Sequence, residues 1–248
     1  MVQDQRELSR RTLFGLAGAT AAAATLAACD SPRHSAVVVP SEVPIATADA
    51  RPDITDPDVA LARLKEGNAR FVAGRMIRPE QSPETRIRLS NGQKPFAVVV
   101  TCSDSRLPPE VIFDQGLGDL FVVRVAGNVV DEVGLGSIEY AIEHLHTPLI
   151  VVLGHEKCGA VSATLDALQP PYDRPHGAIE SIVEGITPAV KEALTQQGDL
   201  LENAILANIA HSRDVIKGDP ELEDYLKFDA VKIATGYYSL SDGTAPLS

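Results

Sequence analysis

Cys102, Asp104, Arg106, His155 and Cys158 are the residues of this chain whose types and spacing point to chemistry. They fall in two short segments, Cys102-Ser103-Asp104-Ser105-Arg106 and His155-Glu156-Lys157-Cys158. Two thiolates and an imidazole suit a borderline-soft ion such as zinc. Three protein ligands is the number used at catalytic zinc, where a fourth position stays open for water and the water's pKa drops to about 7. Asp104 stands close enough along the chain to reach either the metal or a metal-bound hydroxide. The Arg106 fork can hold that carboxylate bidentately and keep it ionised. A carboxylate that only accepts hydrogen bonds orients the hydroxide proton and aims a lone pair at an electrophile, which describes a hydrolytic or hydration site. Three other readings stand beside it. Asp104 as a fourth ligand would close the site, as in structural zinc. Cys102 as a nucleophile with His155 as its base leaves Cys158 and Arg106 without roles. Cysteines acting only as small buried hydrophobes leave a charged pair without partners.

Each segment follows a strongly apolar run, 96–101 and 149–153, of the kind that forms buried parallel strands. The ligands are therefore expected just beyond the C-terminal ends of two strands, where open α/β sheets place their sites. A third strand is expected over 120–125. Helices are expected over 58–71, 136–146 (Ile138, Ala141, Ile142 and Leu145 on one side), 158–168, 179–195 and 199–216. Pro79 and Pro83 read as chain breaks, 169–178 as a loop, and 230–240 as two strands or a bent strand pair. Strands alternating with helices give an α/β domain with a mostly parallel central sheet flanked by helices.

The chain has 248 residues and a net charge of −12. Without a basic patch beyond the extreme N-terminus, nucleic acid is not an expected partner. Residues 1–28 carry Ser9-Arg10-Arg11-Thr12-Leu13-Phe14 and then a weakly apolar Ala/Gly run, the pattern of a twin-arginine signal peptide. The run ends Leu26-Ala27-Ala28-Cys29, which resembles a bacterial lipobox and marks Cys29 for lipidation. Contact with a membrane surface is expected only through that lipid. The expected location is the outer face of the cytoplasmic membrane, or the periplasm or extracellular space. Residues 29–53, with four prolines, read as an extended tether, and 54–248 as the catalytic domain.

Together these segments resemble the beta-class carbonic anhydrases over about residues 58–240. The signatures are Cys102-Ser-Asp-Ser-Arg106 and Gly154-His155-x-x-Cys158-Gly159, with Asp119-Leu-Phe-Val-Val-Arg124, Ala126-Gly127-Asn128 and Gly136-Ser-Ile-Glu139-Tyr140-Ala141 in order between them. The resemblance implies one zinc ion per chain on Cys102, His155 and Cys158. Asp104 and Arg106 would be the catalytic dyad in zinc-hydroxide attack on carbon dioxide to give bicarbonate and a proton. It further implies that the Gln93 amide and the Gly159 backbone N–H bind substrate, and that Phe121 and Tyr140 line an apolar pocket across a dimer interface. A homodimer or a dimer of dimers is implied with it. His144 matches a position suggested for a proton shuttle. Some bacterial members lock themselves off with bicarbonate, using a tryptophan three residues before the first cysteine. Val99 stands there and the chain has no tryptophan, so Arg124, which matches another part of that pocket, cannot complete it.

Overall fold

A computed structural model describes residues 53–248. The proposed signal peptide, Cys29 and the tether up to residue 52 lie outside the described residues. The chain opens with helix α1 (Pro57–Val72), where the Asp56 carboxylate caps the N–H groups of Asp58 and Val59 and Pro57 takes the first helical position. Helix α2 (Pro83–Leu89) follows, then strand β1 (Ala97–Thr101), the short helix α3 (Pro109–Ile112) and strand β2 (Leu120–Arg124). A 3₁₀ turn at Ala126–Asn128 leads to helix α4 (Glu132–Glu143) and strand β3 (Leu149–His155). Helices α5 (Gly159–Leu168), α6 (Ile179–Ala193), α7 (Leu200–Lys217) and α8 (Glu223–Lys227) precede strand β4 (Lys232–Tyr238).

The strands form one parallel sheet in the order β2-β1-β3-β4. The two central strands, β1 and β3, are buried along their whole length, which is why they read as unbroken apolar runs. The edge strands are half-buried. The tail closes part of the β4 edge: Gly236 and Leu247 form an antiparallel bridge, and Thr235 and Ser248 exchange N–H···O bonds of 2.9 and 3.0 Å.

The fold corrects several expectations. Pro83 does not break the chain but starts α2, because Ser82 Oγ accepts from Thr85 N and proline needs no N–H at the first helical position. Helix α4 starts at Glu132, four residues before the expected Gly136, since Asp131 caps it through Gly134 N at 2.8 Å. It ends at Glu143, so His144 is its cap and His146 turns with positive φ toward Pro148. Residues 232–238 make one strand rather than two. Gly236 marks no turn: Leu247 Cδ2 would lie 2.5 Å from a Cβ there, so glycine admits the tail. Strand β3 runs two residues past the expected end because Gly154 and His155 pair with Tyr237 and Tyr238. His155 is therefore the last residue of the strand.

Candidate metal centre

Strand order places the ends of β1 and β3 side by side, and with them the two motif segments. Cys102 follows the last residue of β1, His155 closes β3, and Cys158 stands immediately before the first turn of α5. Their ligating atoms lie within 4.8 Å of one another, and all three side chains are buried. Gly154 lets β3 approach α7: a Cβ there would fall 2.5 Å from Ile209 Cγ1.

The donor set fits zinc. His155 Nδ1 lies 2.9 Å from Glu156 O and donates to it, which leaves Nε2 as the bare acceptor. That nitrogen is buried and has no hydrogen-bond partner. An orphaned imidazole lone pair beside two sulfurs costs free energy unless a cation or a proton takes it up. The two thiols compete for one proton. The Cys102 thiol is pushed down to about 4, first because Cys158 donates to its sulfur, with help from His155 and the Gly127 N–H at 3.2 Å. The Cys158 thiol is driven up, first by sharing that proton with Cys102 and then by burial. A divalent cation removes the competition by neutralising both thiolates.

Asp104 and Arg106 sit on the turn after Cys102. Asp104 Oδ1 accepts from Arg106 N and Nε, both at 2.9 Å, and Oδ2 accepts from Nη2 at 2.7 Å. This fork holds the Asp104 carboxyl well below the usual carboxylate range, against a smaller opposing effect of burial. Asp104 is not part of the clustered ligand set; both its oxygens are taken up by Arg106. Gly159 is the first residue of α5, with open space where a side chain would be.

Four supporting residues were not assigned these roles from the sequence. Gly127 has φ of +69°, and a Cβ there would fall 2.6 Å from Ile186 Cδ1. Its N–H faces the Cys102 sulfur, and its carbonyl accepts from Asn208 Nδ2 at 2.7 Å. Ser212, one turn further along α7, donates to Asn128 O at 2.9 Å. Asn208 and Ser212 had a faint sequence signal, as polar residues spaced i, i+4 on a helix side otherwise made of Ala204, Ile205, Ile209 and Ile216. Arg124 ends β2 and donates to the carbonyls of Cys102 and Asp104. Val99 is fully buried in β1.

The remaining predicted residues lie at the other end of the sheet. Gln93 precedes β1 and lines a cleft of about 330 Å³ with Arg63, Lys94, Phe96 and Leu117. The whole of β1 separates it from Cys102, about 17 Å of strand. Phe121 pairs with Val98 near the start of the sheet. Its ring lies 6.3 Å from that of Tyr140 on α4, and the His144 ring is 5.1 Å from Tyr140. One chain thus assembles the buried ligands with their dyad and, apart from them, Gln93 in its cleft and the ring cluster of Phe121, Tyr140 and His144. Among the described residues no helix is long and apolar enough to cross a membrane.

Known proteins resemble this chain. A family model described as carbonic anhydrase matches residues 97–245. A carbonic anhydrase of Mycolicibacterium smegmatis is 54% identical over 136 residues, 55% of this chain and 66% of that protein. Carbonic anhydrase 2 of Mycobacterium tuberculosis is 43% identical over 197 residues, 78% of this chain and 93% of that protein. Among solved structures, the beta-carbonic anhydrase CcaA superposes with a TM-score of 0.58 at 26% identity, over 75% of this chain and 94% of its own. A structure described among two tetrameric beta-carbonic anhydrases of Sordaria macrospora shares the fold, with a TM-score of 0.60 at 24% identity over 77% of this chain and 96% of its own.

Proposed function

The chain belongs to the beta-class carbonic anhydrase family and is a carbonic anhydrase, and from that premise we propose how its own residues carry out the reversible hydration of carbon dioxide to bicarbonate and a proton. Cys102 Sγ, His155 Nε2 and Cys158 Sγ would hold one zinc ion. Zinc on three protein ligands supplies a Lewis acid that makes hydroxide available near neutral pH. The observation that carries the reading is the convergence of these three atoms within 4.8 Å around an otherwise partnerless Nε2, next to a carboxylate already ionised and held.

Glu156 O fixes the His155 tautomer by accepting from Nδ1–H, so the other nitrogen is always the donor to the metal. Asp104, kept ionised by Arg106, accepts the O–H of the nucleophile and turns its lone pair toward the carbon of carbon dioxide. The Gly159 N–H, at the start of α5, donates to an oxygen of the bicarbonate that forms. Asp104 serves as a dyad member and not as a fourth ligand in this arrangement, which leaves the coordination position that hydration requires.

Gln93, Phe121 and Tyr140 act in the site of a second copy. Their placement at the far end of the sheet, partly open to solvent, supports a homodimer or a dimer of dimers in which each chain finishes the other's pocket. His144, its ring tilted against that of Tyr140, carries the proton outward to buffer. Residues 1–28 direct export by the twin-arginine route, and a lipid on Cys29 retains the enzyme at the outer face of the cytoplasmic membrane. The Arg10-Arg11 pair and the Ala-Ala-Cys29 ending support that reading. Cys29→Ser should move the enzyme from the membrane to the soluble fraction.

Stopped-flow carbon dioxide hydration by the zinc-loaded protein, from about pH 6.5 to 9, tests the central reading. Activity that rises toward alkaline pH is expected. No hydration at any pH with one zinc bound per chain would overturn it.

A further inference from the structure

The Asp104–Arg106 pair is a closed clasp. Three donors of Arg106 bind a carboxylate only two residues away, so the clasp fixes the two side chains on each other but not on the Cys102 sulfur. Arg106 is half exposed and reaches no other anchor through these bonds. Something outside the turn must set its position relative to the metal ligand.

Arg124 supplies that reference. It is the last residue of β2, in register with Thr101. Its Nε donates to Cys102 O at 3.1 Å and its Nη2 to Asp104 O at 2.6 Å. One rigid, planar guanidinium therefore grips the carbonyls of the ligand residue and of the dyad residue. The next residue of the same strand exit holds the base of the turn: Val125 N donates to Thr101 O and Val125 O accepts from Ser103 N, both at 3.2 Å. Leu107 N closes the turn on Asp104 O at 3.0 Å.

We propose that Arg124 is a positioning residue for this reaction, fixing the Asp104–Arg106 clasp at a set distance from the Cys102 sulfur by bridging the two carbonyls. The proposal rests on Asp104 acting in carbon dioxide hydration. The fork matters and not the charge alone, since an ammonium group cannot span both carbonyls in one plane.

The test compares Arg124→Ala and Arg124→Lys in the zinc-loaded enzyme, each also made in an Asp104→Ala background. Loss of an outer-shell partner lowers activity by about 10–100-fold. Both single variants should therefore lose about tenfold or more in kcat, with KM changed less than about twofold and one zinc still bound per chain. In the Asp104→Ala background the same substitutions should cost less than about twofold, because Arg124 acts through that carboxylate. Hydrogen exchange of the segment 102–107 should rise in both single variants while exchange in β1 and β3 stays unchanged. If Arg124→Ala yields no folded protein, Arg124→Gln, which keeps a single fork-less donor group, takes its place. An undiminished loss in the Asp104→Ala background, wild-type kcat in Arg124→Lys, or unchanged kcat with relief of inhibition by bicarbonate would overturn the proposal. Failure of the premise appears separately, as full activity in Asp104→Ala alone if Asp104 takes no part, or as no hydration by the zinc-loaded wild type, whereas the exchange measurement judges the grip of Arg124 on the turn whatever the reaction.

Discussion

At the C-terminal end of the sheet, Cys102, His155 and Cys158 are buried, their neighbours are hydrogen-bonded, and α7 reaches in through Asn208 to hold the backbone that faces Cys102. At the N-terminal end, Tyr140 is 48% exposed and Gln93 stands in an open cleft. The same strands make both ends, so the contrast does not come from the sheet. It comes from the connections at the two ends of each strand. Beyond the C-terminal ends of β2 and β3 the chain turns within a few residues into a 3₁₀ turn and a helix that cover the site. Before β1 it leaves an exposed loop, residues 90–94, that covers little. A buried cluster of charged ligands has to be satisfied inside one chain as it folds. An exposed aromatic and amide group can wait for a second chain.

The largest expected effect breaks the finished end. Cys158→Ser should remove bound zinc, read by metal analysis, and take hydration to background. Asp104→Asn keeps the size of the side chain but replaces an acceptor-only group. It should lower kcat by about 10²–10⁴-fold while zinc stays bound. Activity retained in Asp104→Asn would mean that the carboxylate takes no part in the reaction. Gly127→Ala strikes the support behind it. A methyl group pressed on Ile186 at positive φ should cost about 2–4 kcal/mol, seen as a drop in melting temperature.

The unfinished end gives a smaller and more diagnostic effect. Gln93→Ala should lower kcat/KM about tenfold or somewhat more, the worth of one hydrogen bond to a charged group, with full zinc content. Mixing Gln93→Ala chains with Cys158→Ser chains, then dissociating and reassociating them, should restore activity, since a mixed pair holds one site with both parts intact. No recovery in the mixture would erase the distinction between a finished and an unfinished end.

The smallest effect is a control away from both. Burial alone would push the Asp114 carboxyl up, but Arg70 and the N–H groups of Ile77 and Arg78 outweigh it and hold its pKa down. A lowered folded pKa gives stability that is present above the unfolded value, about 3.9, and lost as pH falls through the folded one. Asp114→Asn should therefore lose about 1–2 kcal/mol at neutral pH, and the difference from wild type should shrink as acidification carries the folded carboxylate through its lowered pKa, followed by denaturant melts.

Much of the finished end was legible because its residues are bunched on two short segments that each follow an apolar strand. Local spacing was enough to place Cys102, Asp104 and Arg106 on one turn. Its supports were not legible, since Arg124, Gly127, Asn208 and Ser212 act across strands and helices far apart in the chain. The start of α4 was missed for a related reason: periodicity marks a helix by its buried face, while its true first residue depends on the Asp131 cap. The single strand over 232–238 was not legible because a glycine that admits a neighbour, as Gly236 admits Leu247, looks in sequence like one that interrupts a strand. Gln93 and Tyr140 could be named by resemblance, but no periodicity tells a residue waiting for a partner from one exposed to solvent.

The tail that pairs with β4 has a consequence for how copies of this chain can add to one another. A sheet with two free borders lets units queue indefinitely, each offering its far border to the next, and the product is a fibre. Here Ser248 already occupies the hydrogen-bonding groups of Thr235, and Leu247 lies across Gly236, so that border is partly plugged by the chain itself. Border-to-border growth is left to the β2 side. A contact that uses the same border on both copies has a two-fold axis and closes at two, and pairing of Leu247 and Ser248 with β4 leaves less of that border open to the endless kind.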